Sequence, residues 1–382
     1  MEVWNELIGQ AGLLKLSWQN ILMFIVGGVL ITLAVKKNFE PLLLIPIGFG
    51  AILANIPLAN LSASSVYKGY ENVPLLQLIY NAGIKTELLP PIIFMGVGAL
   101  TDFRPLLGRP ITLLLGASAQ LGIFIAALGA HYLFGFTPQE AGAIGIIGGA
   151  DGPTTIFITA KLAPHLLGAV AVAAYSYMAL VPVIQPPIIR LLTTKDERQI
   201  DMPQVKPVSQ TAVIIFPIMT CLITALLIPT CAPLLGMLMF GNLLRESQVT
   251  DRLSSTAGGP LINMVTIFLG LTVGATMEGT GFLRKETMFI LVLGMFAFSF
   301  STFGGLAFAK LLNLMLPPEK RINPCIGAAG VSAVPMAARV VQGFVSQETG
   351  GRVNPLMAAM GPNVAGVIGS AVTAGVFLAL LQ

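Results

Sequence analysis

The chain has 382 residues, 55% of them hydrophobic and 10% charged, with a mean hydropathy of +0.85. Soluble domains carry roughly 25% charge, so the composition excludes an ordinary soluble enzyme and reads as an all-α integral membrane protein. The formal net charge of +4 fits basic cytoplasmic loops and not a nucleic-acid partner.

At about 20 apolar residues per crossing, the chain could supply roughly nine to eleven membrane segments. Met1 to Trp18 is weakly amphipathic: Trp4, Leu7, Ile8, Leu14 and Trp18 predict a helix lying at the interface, with no cleavable signal evident. Residues 1–36 thus hold an interfacial helix and a first span. Residues 37–195 form a first repeat with a broken segment around 145–160. A linker and span entry occupy 196–224, and the polar stretch Thr193 to Pro207 marks the join. Residues 225–382 form a second repeat with broken segments around 323–339 and 360–366. The 41 glycines and 26 prolines exceed what straight spans need and predict interrupted helices and close packing. Cys221, Cys231 and Cys325 show no pairing pattern and read as packing residues.

The repeats rest on echoes that keep the same order. Pro41-Leu42-Leu43-Leu44 leading to Phe49-Gly50 returns as Pro233-Leu234-Leu235 leading to Phe240-Gly241. Ile93-Phe94 followed by Val97-Gly98-Ala99 returns as Ile267-Phe268 followed by Val273-Gly274-Ala275, and each ends in a turn with an acid, Asp102 or Glu278. A long span follows in each half, Ile111 to Phe134 and Phe289 to Leu314. Ile147-Gly148-Gly149-Ala150-Asp151 through Pro153 then matches Ala328-Ala329-Gly330-Val331-Ser332 through Pro335. Corresponding interrupted segments point to a midplane binding site between repeats, and if the halves are inverted the tips of those segments meet there. We expect inversion. Loop charges leave the orientation open, because Arg104 and Arg109 make one loop basic while Arg190, Lys195, Arg198 and Lys206 make another.

Asp151 is the residue a lipid-embedded chain should tolerate least. It stands between Gly148-Gly149-Ala150 and Gly152-Pro153-Thr154-Thr155, where regular helix stops. Non-helical backbone at membrane depth survives only inside protein or along a wet cavity, and a carboxylate there marks an ion or proton path. Its hard oxygens suit Na+ or reversible protonation, although an acid satisfied by backbone donors at a helix start is the plainer alternative. Asn323, Ser332 and Asn363, each beside Gly or Pro, form a neutral polar set that reads either as a cation cage or as glue between helices. Tyr177 could relay a proton or simply pack. Arg339 could grip a carboxylate in a fork or snorkel to the interface. Lys161 and His165 are weaker candidates, and Asp102 and Glu278 read as loop anchors. No phosphate loop, His-Glu-x-x-His or dinucleotide fingerprint is present, so energy for transport comes from another gradient or from a substrate delivered by a partner.

The run Gly148 to Thr154, Tyr177, Asn323-Pro324 leading to Gly327, and Ala329-Gly330-Val331-Ser332-Ala333-Val334-Pro335-Met336-Ala337-Ala338-Arg339 closely resembles the beta subunit of the sodium-pumping biotin-dependent decarboxylases. These subunits serve oxaloacetate, glutaconyl-CoA, methylmalonyl-CoA and malonate decarboxylase complexes. The likeness runs from about Pro41 to the C-terminus and includes Val97 to Phe103 and Met360 to Val364. It implies a carboxybiotin decarboxylase of the bacterial cytoplasmic (inner) membrane that moves Na+ outward and consumes a proton. By motif match, Asp151, Asn323, Ser332 and Asn363 would handle Na+ or its coupled proton. Tyr177 would deliver the proton, Arg339 would steady the carboxylate of carboxybiotin with Asn323 beside it, and Gly327 would permit close backbone approach. The implied partners are a biotin carrier, a carboxyltransferase (alpha) subunit, a small single-span gamma- or delta-type subunit, and further copies in a trimer. A carrier lysine in a Met-Lys-Met setting is absent, so carboxybiotin would arrive in trans. The compact chain leans towards the acyl-CoA branch. The alternative is a secondary Na+-coupled carboxylate transporter that breaks no bond; an ion channel is disfavoured by paired discontinuous segments.

Overall fold

A computed structural model describes residues 11–37, 39–59, 61, 73–202 and 207–382. Trp4, Leu7, Ile8 and Lys206 lie outside the described residues. The described residues form helices and no strand. The larger helices are α1 (Trp18–Lys37), α2 (Pro41–Ala54), α3 (Leu89–Leu100), α4 (Thr112–Ala119), α5 (Leu121–Phe134), α6 (Pro138–Gly145), α7 (Gly152–Leu162), α8 (Leu167–Ala179), α9 (Val181–Leu192), α10 (Gln210–Leu227), α11 (Ala232–Glu246), α12 (Ile262–Ala275), α13 (Lys285–Met315), α14 (Met336–Thr349) and α15 (Leu356–Leu381).

Among the described residues six helices are long and apolar enough to cross a membrane, and up to eight if each of two bent pairs is one span. The chain is therefore a multi-pass membrane protein. The larger number expected from composition counts shorter apolar helices as crossings. One of these is α2, whose 14 residues fall short of the ~20 that span a bilayer core. Near the N-terminus, Leu14 and Trp18 are exposed, and the described part of the expected interfacial helix is a single 3-10 turn, Gly12–Lys15.

The echoed segments pack crosswise. Helix α2 lies on α12 and α3 lies on α11. A Cβ on Gly50 would strike the Leu271 carbonyl and one on Gly274 the Ile47 carbonyl. In the other pair, a Cβ on Gly98 would strike the Leu238 carbonyl and one on Gly241 the Met95 carbonyl. Without a hydrophobic drive between helices in lipid, such close backbone approach is what holds helix pairs together.

Helix α13 gives the molecule its axis: 31 residues span about 46 Å, longer than the ~30 Å hydrocarbon core. A first hairpin is made by α6, a 3-10 turn at Ile146–Gly149, and α7. Thr137 and Glu140 form a capping box that starts α6. His165, just beyond α7, approaches Glu140 at 2.8 Å, so the hairpin leaves where it entered. Glu286 and Thr287, at the start of α13, line the same mouth.

A second hairpin is made by the 3-10 segment Pro324–Gly330 and α14. Asn323 at its entry donates to the Arg198 and Ile200 carbonyls, both at 3.0 Å. Glu348 at its exit accepts from Arg198 at 2.9 Å and from Arg190 at 2.8 Å. Lys310, near the end of α13, reaches Glu197 in the same linker at 3.2 Å. The hairpins thus open at opposite ends of α13, and their tips meet between them.

Replacing Gly98 with Val should loosen the α3–α11 contact at a cost of about 1–3 kcal/mol. A lower unfolding midpoint of the detergent-solubilised subunit checks this, and an unchanged midpoint would mean the contact is dispensable.

Candidate functional site

The first hairpin turns through Ala150, which takes the left-handed conformation at φ 54°. That geometry costs an L-residue roughly 1–2 kcal/mol, and it aims the next side chain across the tip. Asp151 becomes the N-cap of α7, with only 6% of its surface exposed. One carboxylate oxygen accepts from the Thr154 backbone N–H at 3.0 Å. The other accepts from the Ser332 hydroxyl at 3.0 Å and the Ser370 hydroxyl at 2.6 Å. The hydroxyls of Ser332 and Ser370 lie 3.2 Å apart, and the Ser332 N–H donates to the Gly149 carbonyl at 2.9 Å. Three separate segments therefore converge on one buried carboxylate, and no cation partners it among the described residues.

Irregular backbone at this depth needs substitutes for its missing helical hydrogen bonds. Ser301 on α13 donates to the Gly148 carbonyl at 2.7 Å. On α9, Gln185 donates to the Ala328 carbonyl at 2.7 Å. Asn363 on α15 donates to the Val331 and Ala333 carbonyls at 2.7 and 3.3 Å, straddling Ser332. Its amide nitrogen is thereby fixed, and its buried carbonyl oxygen makes no hydrogen bond among the described residues. Ser332 thus meets Asp151 directly, while Asn363 holds the backbone on either side of Ser332; the break expected around 360–366 is instead continuous helix, with Pro362 carried inside α15.

Other candidates fall elsewhere. Asn323 spends its amide on the 198–202 linker and accepts from the Cys325 N–H at 3.1 Å, so it caps the second hairpin and does not join the Asp151 cluster. Gly327 does permit close approach, but to Gly305 of α13. Tyr177 is half-buried, donates its hydroxyl to the Leu291 carbonyl of α13, and packs against Gly294. The phenol at the Asp151 turn is instead Tyr175, fully buried against Gly152. Arg339 is exposed in the first turn of α14, with no ion pair among the described residues. Lys161 pairs with Glu87 at 2.9 Å, and Asp102 accepts from Arg104, fixing a loop. Glu278 lines the mouth of the first hairpin, a cavity of about 440 Å³ shared with Glu140, His165 and Glu286.

Ser370 and Tyr175 escape sequence reasoning because each sits in unbroken apolar helix with no Gly-Pro signature around it. The α-helical period could have flagged Ser370, which lies two turns after Asn363 on the same face of α15.

What can the arrangement hold? Among the described residues no group of three His, Cys, Asp or Glu could bind a metal ion. A single carboxylate ringed by neutral oxygens balances one positive charge, which suits Na+ or a proton.

Residues 19–381 match the family described as the Na+-transporting oxaloacetate decarboxylase beta subunit. The chain belongs to that family. It is 54% identical over 382 residues to methylmalonyl-CoA decarboxylase subunit beta of Veillonella parvula, covering 99% of this chain and 97% of that protein. It is 52% identical over 381 residues to glutaconyl-CoA decarboxylase subunit beta of Acidaminococcus fermentans, again 99% and 97%. It is 50% identical to oxaloacetate decarboxylase beta chain 2 of Salmonella typhi over 434 aligned positions, covering 99% of each. The chain is accordingly a beta subunit of the Na+-transporting decarboxylases, and family membership favours bond-breaking chemistry over the solute-transporter alternative.

Removing one hydroxyl donor from a buried carboxylate costs about 1.5–3 kcal/mol. Ser370→Ala should therefore weaken Na+ dependence of decarboxylation by about tenfold or more. Ser299→Ala, whose hydroxyl only donates back to Met295 of its own helix, should leave it unchanged. Equal half-saturating Na+ in the two variants would remove Ser370 from the site.

Proposed function

We propose that this subunit decarboxylates carboxybiotin brought by a biotin carrier and uses the reaction to move Na+ outward through the Asp151 site. The observation that carries the reading is a buried carboxylate at the meeting point of two hairpins that open at opposite ends of the molecule. A site so placed can be exposed to one side or the other by small rocking of the two halves. The crosswise pairing of α2 with α12 and α3 with α11 supports an inverted repeat, since a twofold axis would exchange those pairs.

The chemistry needs a proton. When the N–CO2⁻ bond of carboxybiotin breaks, CO2 leaves and the ring nitrogen takes up one proton. Na+ entering beside Asp151 stabilises the carboxylate and releases its proton; after Na+ departs outward, a proton returns from the far side. Tyr175, fully buried against Gly152 at the Asp151 turn, is the phenol we assign to passing it on, since Tyr177 is committed to the Leu291 carbonyl.

Charge sorts the two ends. Arg109 reaches Met202 of the linker, and Arg190, Lys195, Arg198, Lys310, Lys320 and Arg321 gather at that end of α13. Arg190, through its hydrogen bond, and then Arg198 hold the Glu348 carboxyl below the ordinary range there, against a smaller opposing effect of burial. The opposite mouth carries Glu140, Glu278 and Glu286, together with Arg284 and, at the hairpin exit, Lys161 as fixed cations. The positive-inside rule puts the linker end in the cytoplasm, where a carrier would bring its biotin. Arg339, exposed in the first turn of α14, is the residue we assign to the carboxylate of carboxybiotin.

Identity to the acyl-CoA and oxaloacetate relatives is too similar to choose among them, but alignment length differs: 382 positions with the methylmalonyl-CoA subunit and 434 with the oxaloacetate chain. The missing insertion supports an acyl-CoA decarboxylase complex of the bacterial inner membrane, with carrier, carboxyltransferase and single-span subunits.

Asp151→Asn keeps the shape and removes the charge, so Na+-dependent CO2 release from the assembled complex should vanish; normal turnover would refute the scheme. Arg339→Ala should raise the KM for carrier-borne carboxybiotin by about tenfold, near 1.4 kcal/mol, with Arg339→Lys recovering little because the fork is lost.

A further inference from the structure

The span from Thr112 to Phe134 is interrupted at Gln120, where α4 ends and α5 begins. Gln120 is 4% exposed. Its amide nitrogen donates to the Gly116 carbonyl at 3.0 Å and to the Gly366 carbonyl of α15 at 3.4 Å. Turning the amide over would set oxygen against two carbonyl oxygens, so these donors fix which end is which. The carbonyl oxygen is left pointing the other way, buried and with no hydrogen bond among the described residues.

That oxygen points at the tip of the first hairpin. A Cβ built on Gly149, two residues before Asp151, would lie 3.7 Å from it and 3.3 Å from the Ser370 Cβ. Gln120 and Ser370 therefore flank the same glycine, and Ser370 is the residue that donates to Asp151 at 2.6 Å. The space for the amide depends on glycine on its other side as well: a Cβ on Gly369 would meet the Gln120 nitrogen at 2.8 Å.

We propose that Gln120 is a further ligand of the transported Na+, its side-chain carbonyl joining the oxygen set around Asp151. The inference rests on the Na+-site reading above and adds a residue to it. The physical case is charge balance. Asp151 already neutralises one cation, so any additional ligand has to be a neutral, hard oxygen; a second acid would bind a proton or a divalent ion instead. An amide carbonyl held by its own nitrogen is preorganised for that role and loses little freedom when the ion arrives. Asn363 is held the same way against the second hairpin, its nitrogen committed to the Val331 and Ala333 carbonyls and its oxygen buried with no hydrogen bond among the described residues. A buried carbonyl oxygen left without a partner is costly, and a monovalent cation seated beside Asp151 would offset that cost at Gln120.

The test uses the assembled decarboxylase complex in proteoliposomes, reading CO2 release and tracer Na+ uptake against Na+ and Li+ concentration. Gln120→Met keeps an unbranched chain of similar length without the carbonyl. Its half-saturating Na+ should rise about tenfold, while the rate at saturating Na+ stays within about threefold of the parent. Gln120→Asn keeps an amide but draws its oxygen back by one methylene, and should change the preference for Na+ over Li+, a readout that a packing role would not move. It also carries the test should the Met variant fail to assemble. Half-saturating Na+ within twofold of the parent, with an unchanged Na+ to Li+ ratio, would overturn the inference. Asp151→Asn separates the two levels. If it keeps Na+-dependent turnover, the site reading itself is wrong; if it is inactive while the Gln120 variants behave as the parent, only the role of Gln120 falls.

Discussion

The cost of holding a carboxylate inside a bilayer organises this molecule. A charge there is tolerated only with donors and, in function, a counter-ion. Asp151 takes one donor from its own helix start, one from the tip of the second hairpin and one from the last helix. Two of those bonds tie the second hairpin and the last helix to the first hairpin. All three also give the site its bias, since hydroxyl and amide donors hold the carboxylate without neutralising it.

The rest of the architecture protects that arrangement. Two irregular turns at membrane depth would be prohibitive if their carbonyls were bare, so side chains from the surrounding helices take them up: Ser301, Gln185 and Asn363 each cover hairpin backbone. The helices can supply those groups only because glycines let them come close. Gly122 lies against Ser301 and Gly148, and Gly305 against Gly327, so that α5 and α13 grip the two hairpins almost backbone to backbone. Bulk at these crossings would push the hairpins outward and open the tips.

Amide orientation is a second recurring device. In Gln120, Gln185, Asn242 and Asn363 the nitrogen donates to backbone carbonyls and the buried oxygen makes no hydrogen bond among the described residues. At Asn242 the setting is the α3–α11 contact, away from the tips, and the device there serves packing. At Gln120 the same geometry leaves the oxygen beside Gly149, two residues before Asp151, and it is there that we propose it serves an ion. Residue type alone therefore does not assign the role; the neighbour on the oxygen side does.

Sequence alone determined that the chain is membrane-embedded and that helices break around 145–160 and 323–339 with a lone acid in the first break, because composition and Gly-Pro interruptions are local properties; the third break it implied, around 360–366, is continuous helix. It also singled out Ser332 and Asn363, of which Ser332 lies at a real break and Asn363 in a continuous helix despite the Gly361-Pro362 before it. Tertiary structure alone decided the membership of the site. Ser370 meets Asp151 across 219 residues and Ser332 meets it across 181, while Asn323 turns away to the linker and Tyr175, not Tyr177, takes the place beside Gly152. The reason is physical: which face of a helix is turned towards the tip is set by packing against distant segments, and a serine or glutamine inside an apolar span looks the same in sequence whether it touches lipid, a carbonyl or an ion.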